Sequence, residues 1–168
     1  MECGSYRGIK LLEHAMKVVK RIFKHRIWQQ FEVDDIQFVF MKSKGTTDAI
    51  FTVRQTQKNF RVKEKKLYFG FVDLEKAFDR VPREVIRWAM HKLGVDEWLV
   101  SAVVSMYAGA KTVVRGVYGN SSGSKVKVGI HQGSALSPLL FVIVTEAISR
   151  EFTVPYLGSC CMLMTWLW

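Results

Sequence analysis

A chain of 168 residues is long enough for one domain with a packed core. With 49% hydrophobic and 24% charged residues it reads as globular, which excludes an intrinsically disordered chain. The formal net charge of +10 and a pI near 9.7 favour an anionic partner, nucleic acid first, although a lysine-rich solvated face would give the same balance.

Three cysteines, Cys3, Cys160 and Cys161, sit at the two ends without metal-ligand spacing. They suggest neither a zinc site nor a disulfide framework, so the expected setting is a reducing, intracellular one, cytoplasm or nucleus. Glu2 and the polar residues around it do not read as a secretory leader. The longest apolar run, Pro138 to Val144, falls far short of the roughly 20 residues a membrane helix needs, so no membrane partner is expected.

In chain order, the first element is helical. Ile9, Leu12, Met16, Val19, Ile22, Phe23 and Ile27 recur at three-and-four spacing, with Lys10, Glu13, Lys17, Lys20, Arg21 and Lys24 between them. The pattern predicts an amphipathic helix with a basic outer face. Gly45-Thr46-Thr47 breaks the chain, and either threonine can cap a second helix running to about Asn59. Lys63 to Lys66 read as a charged turn. Leu67 to Val72 is a continuous apolar and aromatic run, expected as a buried strand with Asp73 at its end. Pro82 fits the first turn of a helix that Gly94 would end, and Asp96 starts another through Tyr107. Lys111 to Tyr118 and Lys125 to Val128 are expected as strands, joined through a turn at Gly119-Asn120. Ser137-Pro138 opens a helix through Arg150.

Two segments carry candidate chemistry. The first is Phe71-Val72-Asp73-Leu74-Glu75-Lys76-Ala77-Phe78-Asp79. A strand that delivers a carboxylate to a sheet end offers the hard oxygen donor that magnesium prefers. An aspartate after a strand is more often a cap or turn residue. The second is Gly129-Ile130-His131-Gln132-Gly133-Ser134-Ala135-Leu136-Ser137-Pro138-Leu139-Leu140-Phe141, a polar glycine-bearing loop entering an apolar helix. Its glycines allow backbone to approach a ligand closely, but an ordinary connecting loop would read the same way. No nucleophile pairs with His131, which is read as structural.

Together, and in this order and separation, the two segments resemble sequence blocks of reverse transcriptases of non-LTR, LINE-like retrotransposons. Ser5-Tyr6-Arg7-Gly8-Ile9 is similar to an early fingers block of that family, and Gly45-Thr46-Thr47-Asp48-Ala49-Ile50 to another. Val81-Pro82-Arg83 and Lys92-Leu93-Gly94-Val95 also match; the resemblance spans Ser5 to Phe152. It implies an α+β fold, the fingers and part of the palm of a right-hand polymerase, over residues 1–152. It implies RNA-directed DNA synthesis on an RNA template from a DNA primer, with deoxynucleoside triphosphates as substrates and Mg2+ as cofactor.

By the same resemblance, Asp73 would bind the catalytic magnesium ions, with the Leu74 carbonyl nearby. Phe78 would lie under the nucleotide sugar as a gate against ribose. Gln132 and Gly133 would line the nucleotide pocket, and Arg7 would contact the triphosphate. Asp79, Glu75 and Arg83 are expected to be structural. The resemblance fails at two places. Met41-Lys42-Ser43-Lys44 stands where relatives carry a Pro-Gly-Arg-like turn. The family's Tyr-x-Asp-Asp block, which supplies two further carboxylates, is not found, and no aspartate follows Asp96. Two-metal phosphoryl transfer needs several carboxylates, so these residues alone are expected to be inactive, without the last palm hairpin and the thumb. Residues 153–168 have an unusual run of Cys, Met and Trp. Back-translated one base out of frame, they can read Tyr-Ala-Asp-Asp-Leu-Ala, so a reading-frame slip between about Arg150 and Tyr156 is expected.

Overall fold

The computed structural model describes residues 11–35, 37–38, 40–71, 73–152 and 160–163. These fall into two compact units, each with its own packing. One is drawn from Met1–Glu32 and Lys76–Val144, the other from Val33–Glu75 and Thr145–Trp168. Helices dominate and the sheets are small, as an α+β reading requires.

The first unit is built around helices. α1 covers His14–Trp28, and α2, in the other unit, covers Thr46–Val62. A single turn, α3 (Ala77–Arg80), precedes α4 (Arg83–Lys92) and α5 (Glu97–Tyr107). α6 runs from Ser137 to Phe152, and the division between units falls within it. Leu139 to Val144 of α6 are all buried, as expected of a helix apolar on every side. Ile86, Ala89 and Met90 of α4 and Leu99, Val100 and Val103 of α5 complete the core.

Local chemistry explains the boundaries. Pro82 stands as the N-cap of α4, where its missing N–H leaves no donor unsatisfied. α4 ends in a Schellman motif: Gly94 N–H donates to His91 O and Val95 N–H to Met90 O, both at 3.0 Å. Gly94 sits at φ +77, in the left-handed region that the motif demands. Asp96 stands at the N-cap position of α5 without a side-chain cap bond, and the Gln30 side chain holds it twice. Gln30 Oε1 accepts the Asp96 N–H at 2.9 Å, and Gln30 Nε2 donates to Asp96 Oδ2 at 2.5 Å.

α1 departs from expectation. It begins at His14, and Met16, Val19 and Ile22 are exposed. The stripe turned inward is Lys20, Phe23 and Ile27, with Lys20 only 2% exposed and its ammonium 5.7 Å from the Tyr107 ring centroid. A lysine expected on the basic outer face therefore lies inside. Its aliphatic stem packs like an apolar side chain, and its charge finds an aromatic face.

The hairpin region also differs. Lys111–Thr112 (β2) pairs antiparallel with Ser124–Lys125 (β5), and Arg115–Gly116 (β3) with Gly119–Asn120 (β4). The tip is Val117-Tyr118, and Gly119-Asn120 belongs to a strand. Gly119 adopts φ +122, which glycine alone reaches cheaply, so its flexibility serves the residue after the turn.

In the second unit, α2 is three residues longer than expected and begins after Gly45, whose N–H donates to Asp48 Oδ2 at 2.7 Å. The carboxylate also complements the positive end of the helix dipole. Lys63 to Lys66 form the expected turn. β1, Tyr68–Phe71, pairs in parallel with β6, Cys160–Leu163, in the register Tyr68 to Cys160. The expectation of a buried strand is corrected here: Tyr68 is 61% and Phe71 66% exposed. An apolar run becomes a buried strand only where other elements cover its faces, and among the described residues β6 is its sole strand partner. The Cys-, Met- and Trp-rich segment thus contributes a strand at Cys160–Leu163; its other residues from 153 lie outside the described residues.

Candidate nucleotide-pocket site

In the first unit, the glycine-bearing segment singled out for chemistry meets the Phe78–Asp79 end of the other. Ile130 N–H donates to Phe78 O at 2.6 Å, and Gly129 N–H to Val81 O at 3.0 Å. This fastens the glycine loop along the short α3 turn. Gly129 is buried at φ +88, and a Cβ there would stand 2.7 Å from Asp79 O. Only glycine fits, for its backbone angle and for its lack of a side chain.

Side chains extend the contact. Gln132 Nε2 donates to both oxygens of the Asp79 carboxylate, at 3.2 and 3.1 Å. Phe78 is half-buried and stacks on Phe141 of α6, with ring centroids 4.7 Å apart and planes 18° from parallel. Gly133 is exposed at φ +90. Of the residues expected in a nucleotide pocket, Phe78, Gln132 and Gly133 share this unit. Asp73 and Leu74, both exposed, belong to the other. Arg7 lies outside the described residues.

Beneath the loop is a polar core. His131 is buried, its ring centroid 4.5 Å from that of Tyr107. Ser137 Oγ donates to His131 O at 2.5 Å, and Leu136 N–H donates to Ser134 Oγ at 3.3 Å, tying the loop to the start of α6. The Arg83 guanidinium lies 5.8 Å from the Tyr107 centroid and donates to Val126 O, which clamps the base of the hairpin to α4. Burial pushes the Tyr107 hydroxyl above its ordinary pKa of 10.0; Ser137, the His131 backbone and the Arg83 charge act in the opposite direction. These contacts support the structural reading of His131 and Arg83.

Asp79, expected to be structural, is the hydrogen-bond partner of Gln132. The available signal was a carboxylate directly after Phe78 in a block already suspected of chemistry. In the other unit, Lys44 of the divergent loop donates to Asp35 O at 2.6 Å and pairs with Asp35 Oδ1 at 3.3 Å, so part of that loop's basic charge is locally compensated.

A magnesium pair would need more donors than these. Among the described residues no three histidine, cysteine or acidic side chains cluster in a way that could hold a metal ion. Asp73 on its own is one hard ligand, and two cations a few ångströms apart require several. The described donor set does not fit the metal pair.

Comparison with known proteins fixes the class. The chain matches the model of the family described as reverse transcriptase (RNA-dependent DNA polymerase) over residues 2–164, and it belongs to that family. Its relatives narrow this to non-LTR retrotransposon proteins. It is 31% identical over 167 residues to the RNA-directed DNA polymerase from mobile element jockey of Drosophila funebris, covering 95% of this chain and 18% of that protein. It is 27% identical over 151 residues to a Pol polyprotein from type-1 retrotransposable element R2 of Nasonia vitripennis, covering 90% of this chain and 15% of the relative. A type-1 element R1 Pol polyprotein of Bradysia coprophila is 31% identical over 152 residues, covering 86% of this chain and 14% of the relative. The chain thus spans less than a fifth of the length of each. No helix described is long and apolar enough to cross a membrane.

Proposed function

We propose that this chain is a fingers-and-palm segment of an RNA-directed DNA polymerase, one that adds deoxynucleotides to a primer 3′-hydroxyl on an RNA template. The observation that carries the reading is the fastening of the Gly129–Gln132 loop onto Phe78–Val81. It joins in one unit the Phe78–Asp79 end of the first segment and the glycine loop of the second, the two that resemble the family's nucleotide-handling blocks. Phe78, held flat by Phe141, would present a rigid wall beside a nucleotide sugar. Gln132 and Gly133 would line the adjoining pocket, Arg7 would meet the triphosphate, and Asp73 with the Leu74 carbonyl would contribute to a magnesium site.

Among the described residues the donors do not suffice for a magnesium pair. That shortfall favours a second reading of the 168 residues by themselves: a non-catalytic retrotransposon remnant with a basic surface that binds nucleic acid.

One assay separates the two. Primer extension on an RNA template in Mg2+ is measured for the 168-residue chain and for Asp73→Ala, alongside RNA binding. RNA binding with extension at background in both is expected for these residues alone. Extension above background that Asp73→Ala abolishes would make the chain itself the polymerase. Failure to bind RNA would remove both readings.

A further inference from the structure

We infer that Asp79 is a positioning residue: it sets the orientation of the Gln132 carboxamide and thereby decides what that side chain offers a bound nucleotide. The inference rests on the reading of Gln132 as a pocket residue and goes beyond it in assigning a role to Asp79.

The argument is one of donors and acceptors. A glutamine carboxamide has one face that donates and one that accepts, and its two ends are nearly the same size. Left free in a half-exposed loop, it would sample both orientations. An ionised aspartate only accepts. With both Asp79 oxygens at 3.1–3.2 Å from Gln132 Nε2, the NH2 end must face the carboxylate. The reversed orientation would set a carbonyl oxygen against a negative charge. Gln132 Oε1 is therefore committed as the end available to a ligand. The pocket side of the loop gains a fixed acceptor, suited to a ligand donor such as a sugar hydroxyl or a base amino group.

The surrounding backbone makes the latch rigid. The bonds from Gly129 to Val81 and from Ile130 to Phe78 hold the loop at fixed height above α3. The missing Cβ at Gly129 brings the chains close enough for the Gln132 side chain to reach Asp79. Asp79 is exposed and contributes nothing to the apolar core, so its removal leaves the packing of α4, α5 and α6 in place.

The test uses the full chain, labelled with nitrogen-15, and deoxyguanosine triphosphate as the probe. In the wild type, the Gln132 side-chain NH2 resonances should be those of a carboxamide hydrogen-bonded to the Asp79 carboxylate. Asp79→Ala should move those NH2 resonances to free-amide positions and weaken nucleotide binding about 2- to 10-fold, the worth of one oriented hydrogen bond. Asp79→Asn, which keeps one acceptor but no charge, should lie between. Asp79→Ala in a Gln132→Ala background should cost nothing further. Backbone resonances of the core report that each variant is folded. A Gln132 NH2 signal indifferent to Asp79→Ala would overturn the inference. So would undiminished nucleotide binding in Asp79→Ala when Gln132→Ala weakens it. If instead the NH2 signal follows Asp79 but Gln132→Ala binds nucleotide normally, the pocket reading itself is overturned.

Discussion

At Gly129 two independent constraints coincide, and either would exclude a side chain. Its φ of +88 costs an L-residue on the order of 1–3 kcal/mol, and a Cβ would meet Asp79 O at 2.7 Å, well inside contact distance. The obstructing atom is backbone, held by the neighbouring bonds from Ile130 and Gly129, so it cannot swing aside. Gly129→Ala should therefore destabilise the first unit by about 2 kcal/mol or more, read as a lower midpoint in urea without a change in slope. A midpoint equal to wild type would show that the loop is not fastened to α3. Tyr107 gives a residue-scale prediction of a different kind. Its buried hydroxyl holds its proton more firmly in the folded chain than in the unfolded one. A raised folded pKa supports stability below the unfolded value of 10.0 and loses that support as pH rises through the folded value. Alkaline unfolding above about pH 10 should thus be steeper in the wild type than in Tyr107→Phe, which has no proton to lose. Identical pH profiles for the two would contradict the burial of this hydroxyl.

At the scale of elements, the parts legible in the sequence are those with local causes. Pro82 and Gly94 state where α4 starts and stops through φ restriction and left-handed geometry, and α5 begins directly after Asp96. The helix start at Ser137-Pro138 was legible too, whereas the close approach at Gly129 is to the Asp79 backbone, a neighbour the loop's own residues do not reveal. What sequence periodicity misjudged was decided by neighbours distant in the chain. Lys20 lies in the outward set of an amphipathic pattern, yet Tyr107, 87 positions later, offers its ring as a lining for that ammonium. Leu67 to Val72 has the composition of a buried strand, but burial depends on covering elements that the run itself does not encode. Asp79 shows the same gap at the candidate site. Its role depends on Gln132, 53 residues on, and a spacing of that size has no periodic signature.

At the scale of the molecule, the strongest lever is charge. The net +10 is not evenly spread: from Trp98 to Thr145 there is no aspartate or glutamate, whereas Lys111, Arg115, Lys125 and Lys127 all fall in the exposed hairpin region. Val117 and Tyr118 at its tip are also almost fully exposed. Cations beside an open aromatic ring suit a single-stranded nucleic acid, whose phosphates meet the lysines and whose bases can stack. Each phosphate neutralised on a single strand steepens the fall of log K with log salt by about 0.7. Single-stranded RNA should accordingly bind with a slope near −3 if about four such contacts form. Lys125→Glu with Lys127→Glu should lessen the steepness by about 1.4 while leaving the buried core untouched. Anisotropy titrations of a labelled oligonucleotide at several salt concentrations measure both quantities. A wild-type slope near zero would mean that the charge only solvates the surface. An unchanged slope in the double variant would move the contact away from the hairpin, with Arg54, Lys58 and Arg61 of α2 the next residues to reverse.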